Sequence, residues 1–191
     1  MSIANEPRTR LPATAWAVLG LLSFGRELSG YDLKKWADSS LRFFYWSPAI
    51  SQIYGELRRL EGLGYAETRT ASQDELRNKR LYRITPAGRD ALIDWLADAP
   101  YEPPMLKHGL LLRVWLGHLA DPDRLREAID EHIAHTESML GELRSAREIA
   151  ETSPEWAYPA LVERWGERYY TSEQILATGL RDDLDAMESG D

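Results

Sequence analysis

The chain has 191 residues, 43% of them hydrophobic, which is enough to bury one or two modest cores. It has no cysteine, which excludes a disulfide framework, thiolate chemistry and a Cys-based zinc site. The net charge of −8 is unevenly divided: residues 1–100 carry 14 Lys and Arg against 12 Asp and Glu, and residues 101–191 carry 9 against 19. The acidity thus sits in the second half, where repulsion from phosphate would turn the first half toward a polyanion.

In chain order, Thr14 to Phe24 (TAWAVLGLLSF) reads as a buried core helix. It is well short of the ~20 residues that span a bilayer, and MSIANEPRTR is no apolar leader, so the cytoplasm is the expected compartment. Ser29 caps a second helix, Gly30 to Ser39, on which Lys34 and Lys35 are candidate phosphate contacts or simply solvated lysines. The aromatic linker Arg42 to Trp46 (RFFYW) is expected to pack under the helix that follows. Ser47 and Pro48 supply a cap and an N1 proline for that helix. Ile50, Ile53, Leu57, Leu60 and Leu63 then recur at helical spacing up to the stop at Gly64. Two short strands, Tyr65 to Thr70 and Arg80 to Thr85, flank a polar turn containing Asp74, Arg77, Asn78 and Lys79. Thr85–Pro86 repeats the cap-plus-proline signal and starts a further helix.

A helix feeding a two-stranded basic wing is the winged helix-turn-helix arrangement, whose usual work is reading duplex DNA. With the apolar stripe inward, Ser51, Gln52, Gly55, Arg58 and Arg59 face outward. Gln pairs bidentately with adenine, Arg with guanine or phosphate, and Ser with either. Gly55 costs about 1 kcal/mol in a helix relative to Ala, and at the centre of this face it would allow close approach to a groove. A plain surface helix with a tolerated glycine is the competing reading, as is a winged-helix module that docks proteins rather than DNA. The polar Gln52, Arg58, Lys79 and Arg80 favour DNA, because protein docking would want an apolar face.

The stretch LGLLSFGRELSGYDL (19–33), the run from Ile53–Tyr54 through Leu57, Leu60 and Gly64–Tyr65, and LYRITPAGRDALIDWL (81–96) together resemble the PadR family of transcriptional regulators. The resemblance covers the first hundred residues firmly. The second half is similar to the longer branch of that family, whose helical C-terminal domain resembles that of virulence-activator regulators. It implies a sequence-specific, homodimeric repressor of palindromic operator DNA, with a response in some members to phenolic or other flat aromatic compounds. The family's wing is often glycine-rich, whereas Ala71 to Arg80 has no glycine and includes Asp74 and Glu75. The candidate DNA contacts are Ser29, Tyr31, Lys34, Lys35, Ser47, Ser51, Gln52, Tyr54, Arg58, Lys79 and Arg80. Ser51 and Gln52 are expected to read bases, and Lys34, Lys79 and Arg80 to hold phosphates. The resemblance supports a phosphate contact from the Tyr54 hydroxyl.

Tyr101–Glu102–Pro103–Pro104 is the expected linker, since consecutive prolines bar helix continuation. Met105 to Leu119 then reads as an apolar helix. Asp121 and Pro122 start an amphipathic helix to about Glu151, with Leu125, Ile129, Ile133, Thr136, Leu140 and Leu143 on one face. Pro154 opens a last helix carrying Leu161, Trp165, Tyr169, Ser172, Leu176, Leu180 and Leu184 at the same rhythm. Two such long helices suggest an antiparallel arm with a stripe left over for a second copy, Thr14–Phe24 adding to the contact. The fold class is therefore mainly α: a winged helix-turn-helix domain over 1–100 and a long-helix dimerisation domain over 101–191.

His132 and His135 stand at i, i+3, but no third ligand at a defined spacing is evident beyond His108 or His118, so no metal is expected. There is no Gly-rich phosphate loop and no nucleophile elbow, so neither a cofactor nor an enzymatic activity is expected. Of seven tryptophans, Trp46, Trp95 and Trp115 are the candidates to contact an aromatic effector, with core packing the alternative for each.

Overall fold

The computed structural model describes residues 11–71, 79–100 and 102–190. The part up to residue 100 and the part from residue 102 form separate compact units.

The first unit begins with α1 (Ala13–Leu22), whose Ala15, Val18, Leu19 and Leu22 are fully buried. α2 (Gly30–Ser39) opens on a reciprocal cap: Ser29 Oγ accepts the Asp32 N–H at 3.2 Å, and the Asp32 carboxylate accepts the Ser29 N–H at 2.9 Å. A single 3-10 turn, Leu41–Phe43, leads to α3 (Ile50–Gly62). This helix starts later than Ser47–Pro48 predict. The Ser47 hydroxyl instead donates to Asp38 at 2.6 Å and accepts from Lys34 at 3.1 Å, and the Gln52 side chain accepts the Ala49 N–H at 2.9 Å in its place. Ile53, Leu57 and Leu60 are fully buried, while Ile50 and Leu63 at the ends of the expected stripe are exposed. Gly64 in the left-handed region (φ 74°) ends the helix, the Tyr65 N–H returning to the Leu60 carbonyl at 2.8 Å.

β1 (Ala66–Ala71) and β2 (Lys79–Ile84) pair antiparallel from Ala66 opposite Ile84 to Ala71 opposite Lys79. The turn residues Asp74, Arg77 and Asn78 lie outside the described residues. Leu28, just before α2, exchanges both backbone hydrogen bonds with Tyr82, so the wing is stitched to the helical motif. α4 (Pro86–Asp98) begins where Thr85 accepts the Gly88 N–H at 3.0 Å and donates to the Gly64 carbonyl at 2.6 Å. One threonine thereby joins the end of α3 to the start of α4. Leu19, Leu33, Ile53, Leu57, Tyr82 and Leu92 belong to the single core that these elements share.

In the second unit the helix expected over Met105 to Leu119 is shorter. α5 covers Gly109–Trp115 and a 3-10 turn follows at Gly117–Leu119, while Met105 and Leu106 lie exposed ahead of it. Glycines at both ends of the apolar run shorten it, because glycine is a weak helix former. α6 (Pro122–Ala150) starts on Asp121, which accepts the Asp123 N–H at 3.0 Å. A 3-10 turn at Pro154–Trp156 precedes α7 (Ala157–Ser189).

The two long helices run antiparallel: Arg126 pairs with Asp185 and Glu188, Asp130 with Arg181, and Arg147 with Glu167. On α6 the expected face is buried, with Ile133 only partly so. On α7 the expected stripe packs only at its C-terminal end, where Leu184 is buried and Leu180 lies against Leu125 and Ile129 of α6; the rest of it does not. Ala160, Glu163, Gly166, Ala177 and Leu184 are buried, whereas Leu161, Trp165, Tyr169, Ser172 and Leu176 face outward. Close approach explains the difference, since a Cβ at Gly166 would stand only 3.2 Å from a methyl of Leu143. Among the described residues no helix is long and apolar enough to cross a membrane.

Candidate nucleic-acid interface

The cap of α2 and the outward face of α3 meet at one place. A Cβ on Gly30 would fall 2.5 Å from Tyr54 Cζ, so glycine at the first position of α2 lets the Tyr54 ring lie across it. Tyr31 beside it is 72% exposed, and Ser51, Gln52, Tyr54 and Arg58 are exposed along α3. This face is polar with one aromatic at its flank, as a groove-reading helix requires.

Ion pairs fix the cations around it. Lys79, at the turn end of the wing opposite Ala71, pairs with Asp32 at 3.0 Å. Burial pushes the Asp32 carboxyl up, but the hydrogen bonds from Ser29 and Lys79 outweigh it and hold its pKa below the ordinary value. The same carboxylate therefore caps α2 and anchors the wing. Lys34 is held by Asp38 and Ser47, and Arg80 lies 3.6 Å from Glu61 with its guanidinium 5.8 Å from the Tyr82 ring centre. On the outer strands Arg69 pairs with Glu27 and Arg83 with Glu67. Lys35 and Arg58 are exposed, and neither forms an ion pair among the described residues.

Several expected contacts are placed differently. Ser29 is buried at 5% exposure with its hydroxyl engaged in the Asp32 cap, where it positions the start of α2. Ser47 is likewise engaged with Asp38 and Lys34. Gln52 spends its amide oxygen on Ala49, a bond that a bidentate adenine contact would have to displace. In the linker only Phe43 is buried, because the 3-10 turn points that one ring inward; Phe44, Tyr45 and Trp46 are exposed. Trp95 stacks on Trp16 with ring centres 5.2 Å apart, and Trp115 is 77% exposed.

A cleft of about 280 Å³ in the second unit is lined by His108, His132, His135, Tyr169, Tyr170 and Glu173, among others, and by none of Trp46, Trp95 or Trp115. His132 is partnered not by His135 but by Glu173, whose Oε1 lies 3.0 Å from His132 Nε2 and 2.7 Å from His108 Nε2. The sequence pointed to His132 and to His108, whereas Glu173 carried no signal of its own.

A capped helix pair presenting an exposed polar second helix, with a two-stranded wing locked to both, defines a winged helix-turn-helix transcriptional regulator. Residues 18–94 match the transcriptional regulator PadR-like family, and residues 106–175 match the virulence activator alpha C-terminal family. The negative transcriptional regulator PadR of Bacillus subtilis (strain 168) is 31% identical over 174 residues, covering 85% of this chain and 94% of that one. The chain belongs to the PadR-like family, whose members are transcriptional regulators rather than enzymes. The crystal structure of Bacillus subtilis PadR in complex with operator DNA superposes with a TM-score of 0.77 at 25% identity, covering 91% of this chain and 99% of that one. The same Bacillus protein in complex with p-coumaric acid gives a TM-score of 0.69 at 24% identity over the same shares.

Proposed function

We propose that this protein is a homodimeric repressor that binds a palindromic operator through α3 and the wing and is released by an aromatic small molecule. The observation that carries the reading is the exposed face Ser51–Gln52–Tyr54–Arg58, seated on the capped start of α2 beside a wing that Lys79 ties to Asp32. Ser51 and Gln52 read base edges; Lys35, Arg58, Lys79 and Arg80 hold phosphates, with Lys34 and the Tyr54 hydroxyl beside them. Tyr31, exposed at the first turn of α2, adds a backbone contact. The outward stripe of α7 supplies the surface for a second copy, and two-fold symmetry then presents two α3 helices to two half-sites. Support for repression and for an aromatic effector comes from the Bacillus relative, a negative regulator solved with operator DNA and with p-coumaric acid. Trp46 and Trp95 of the first unit, or Trp115 of the second, supply the aromatic contact for such a ligand. It acts by binding the DNA-competent and DNA-incompetent dimers with different affinities.

Selection of duplexes from a random-sequence library by the purified chain tests the DNA reading. An inverted repeat whose half-sites lie about one helical turn apart is the expected product. Failure to enrich any sequence over input would overturn it. Tryptophan fluorescence that stays unchanged across a broad set of phenolic acids would overturn the effector assignment separately.

A further inference from the structure

We propose that His108, His132 and Glu173 form a binding site for one transition-metal cation of the zinc, cobalt or nickel class. Three separate elements bring the ligands together: His108 at the N-cap of α5, His132 on α6 and Glu173 on α7. One ligand atom from each lies within 4.8 Å of the other two, a spread that a single ion with bonds of about 2.0–2.2 Å can bridge with small adjustments. The side chains are 14%, 23% and 15% exposed, so the cluster is screened from bulk water yet open to the adjoining cleft.

The donor set selects the ion. Two imidazoles and one carboxylate suit zinc, cobalt and nickel, whereas magnesium and calcium want oxygen ligands throughout. His135 also lines the cleft, one turn along α6 from His132, and water entering from the cleft can complete the coordination.

Protons hold the three side chains together. His108 Nδ1 accepts the Leu111 N–H at 3.3 Å, which leaves the proton on Nε2, where it is donated to Glu173. His132 presents Nε2 to the same oxygen, so one carboxylate oxygen is shared by both rings. A cation bound between them replaces these shared contacts with bonds to the ring lone pairs. The His108 proton then resides on Nδ1, and the long cap bond to Leu111 is given up. Metal binding is thereby coupled to the first turn of α5 as well as to the α6–α7 pair. The assignment stands whether or not the chain binds DNA.

The untagged full-length chain, stripped with a chelator and dialysed, is titrated with zinc chloride by calorimetry. One equivalent per chain with micromolar or tighter affinity is expected, together with a rise in Tm on adding zinc. His132→Gln and Glu173→Gln should each weaken binding by about tenfold or more, while His118→Gln, at an exposed position outside the cluster, leaves it unchanged. Circular dichroism reports whether the variants fold. If they do not, cobalt(II) added to the unmodified chain decides: a ligand-field spectrum displaced by zinc supports the site, and the spectrum of aqueous cobalt overturns it. Absence of saturable zinc binding by the unmodified chain, or zinc affinity unchanged in two folded variants, would equally overturn it.

Discussion

Gln52 carries two roles that compete for one amide. Its oxygen closes the N-terminus of α3 on the Ala49 N–H, and its outward position makes it the proposed reader of adenine. Gln52→Ala should therefore cost about 1–3 kcal/mol at the cognate operator and relax preference at one base pair. Loss of the cap should also lower stability by up to about 1 kcal/mol. Lys79→Ala should weaken cognate and random duplexes nearly alike and reduce the salt slope by about one for each phosphate it no longer neutralises, because its proposed partner is a phosphate rather than a base edge. Anisotropy titrations at several salt concentrations separate the two patterns; a wing substitution that altered sequence preference while Gln52→Ala did not would reverse the roles. Glu163, on the packed face of α7, is a different kind of residue. Burial pushes its carboxyl up despite the Arg147 charge nearby, and Oε2 has no hydrogen-bond partner among the described residues. The folded pKa lies above the unfolded value near 4.5, so its contribution to stability is present below that value and is lost as pH rises through the raised folded pKa. Glu163→Gln should flatten the fall in Tm from pH 4.5 upward; an unchanged Tm–pH profile would show that Glu163 titrates normally.

At the scale of elements, two glycines mark where helices are pressed against something else. A Cβ at Gly88 would lie 2.1 Å from the Tyr65 carbonyl oxygen, and backbone cannot swing aside. Gly88→Ala should displace α4 from the start of β1, at a cost of about 1–3 kcal/mol or more in urea denaturation. A Cβ at Gly30 meets only the tip of the half-exposed Tyr54 ring, so Gly30→Ala should cost less stability while moving Tyr54 and weakening operator binding. Equal stability losses at the two sites would contradict this contrast. What the sequence made legible were features governed by local chemistry. Ser29, Thr85–Pro86, Asp121–Pro122 and Gly64 all punctuate helices as their residue types demand. Ser47 was not legible, because its hydroxyl chooses between its own helix and an aspartate on α2, a choice made in three dimensions. Leu180 and Leu184 were legible on the face of α7 that meets α6, but its N-terminal part was hidden for a related reason: periodicity draws attention to the large side chains, whereas Ala160, Gly166 and Ala177 set how closely the helices approach. His108, His132 and Glu173 come from three elements, with 41 and 65 residues separating Glu173 from the two histidines, beyond the reach of any spacing rule.

For the molecule as a whole, the outward face of α7 is the feature that asks for a partner. Leu161 and Trp165 are each 54% exposed and Leu176 is 67% exposed, with Trp165 stacked on Tyr169 at 5.4 Å between ring centres. A row of large apolar groups along a long helix is more than isolated surface residues explain, and a second copy would cover it symmetrically. The charge division fits such an arrangement, since the acidity of the second half repels phosphate and the first half is near neutral. The double substitution Leu161→Asp with Trp165→Asp should yield a monomer in sedimentation while retaining helical circular dichroism, since neither side chain belongs to the packed face against α6. That monomer should lose operator affinity by about 10²–10⁴-fold, because the second half-site no longer binds at the high effective concentration that linkage provides. Its binding to a duplex carrying one half-site should change far less, and its salt slope on the full operator should fall by about half, as only one set of phosphates is neutralised. A folded double variant that remained dimeric would exclude this face as the interface. A monomer that still bound the full operator tightly would show instead that one copy suffices for recognition.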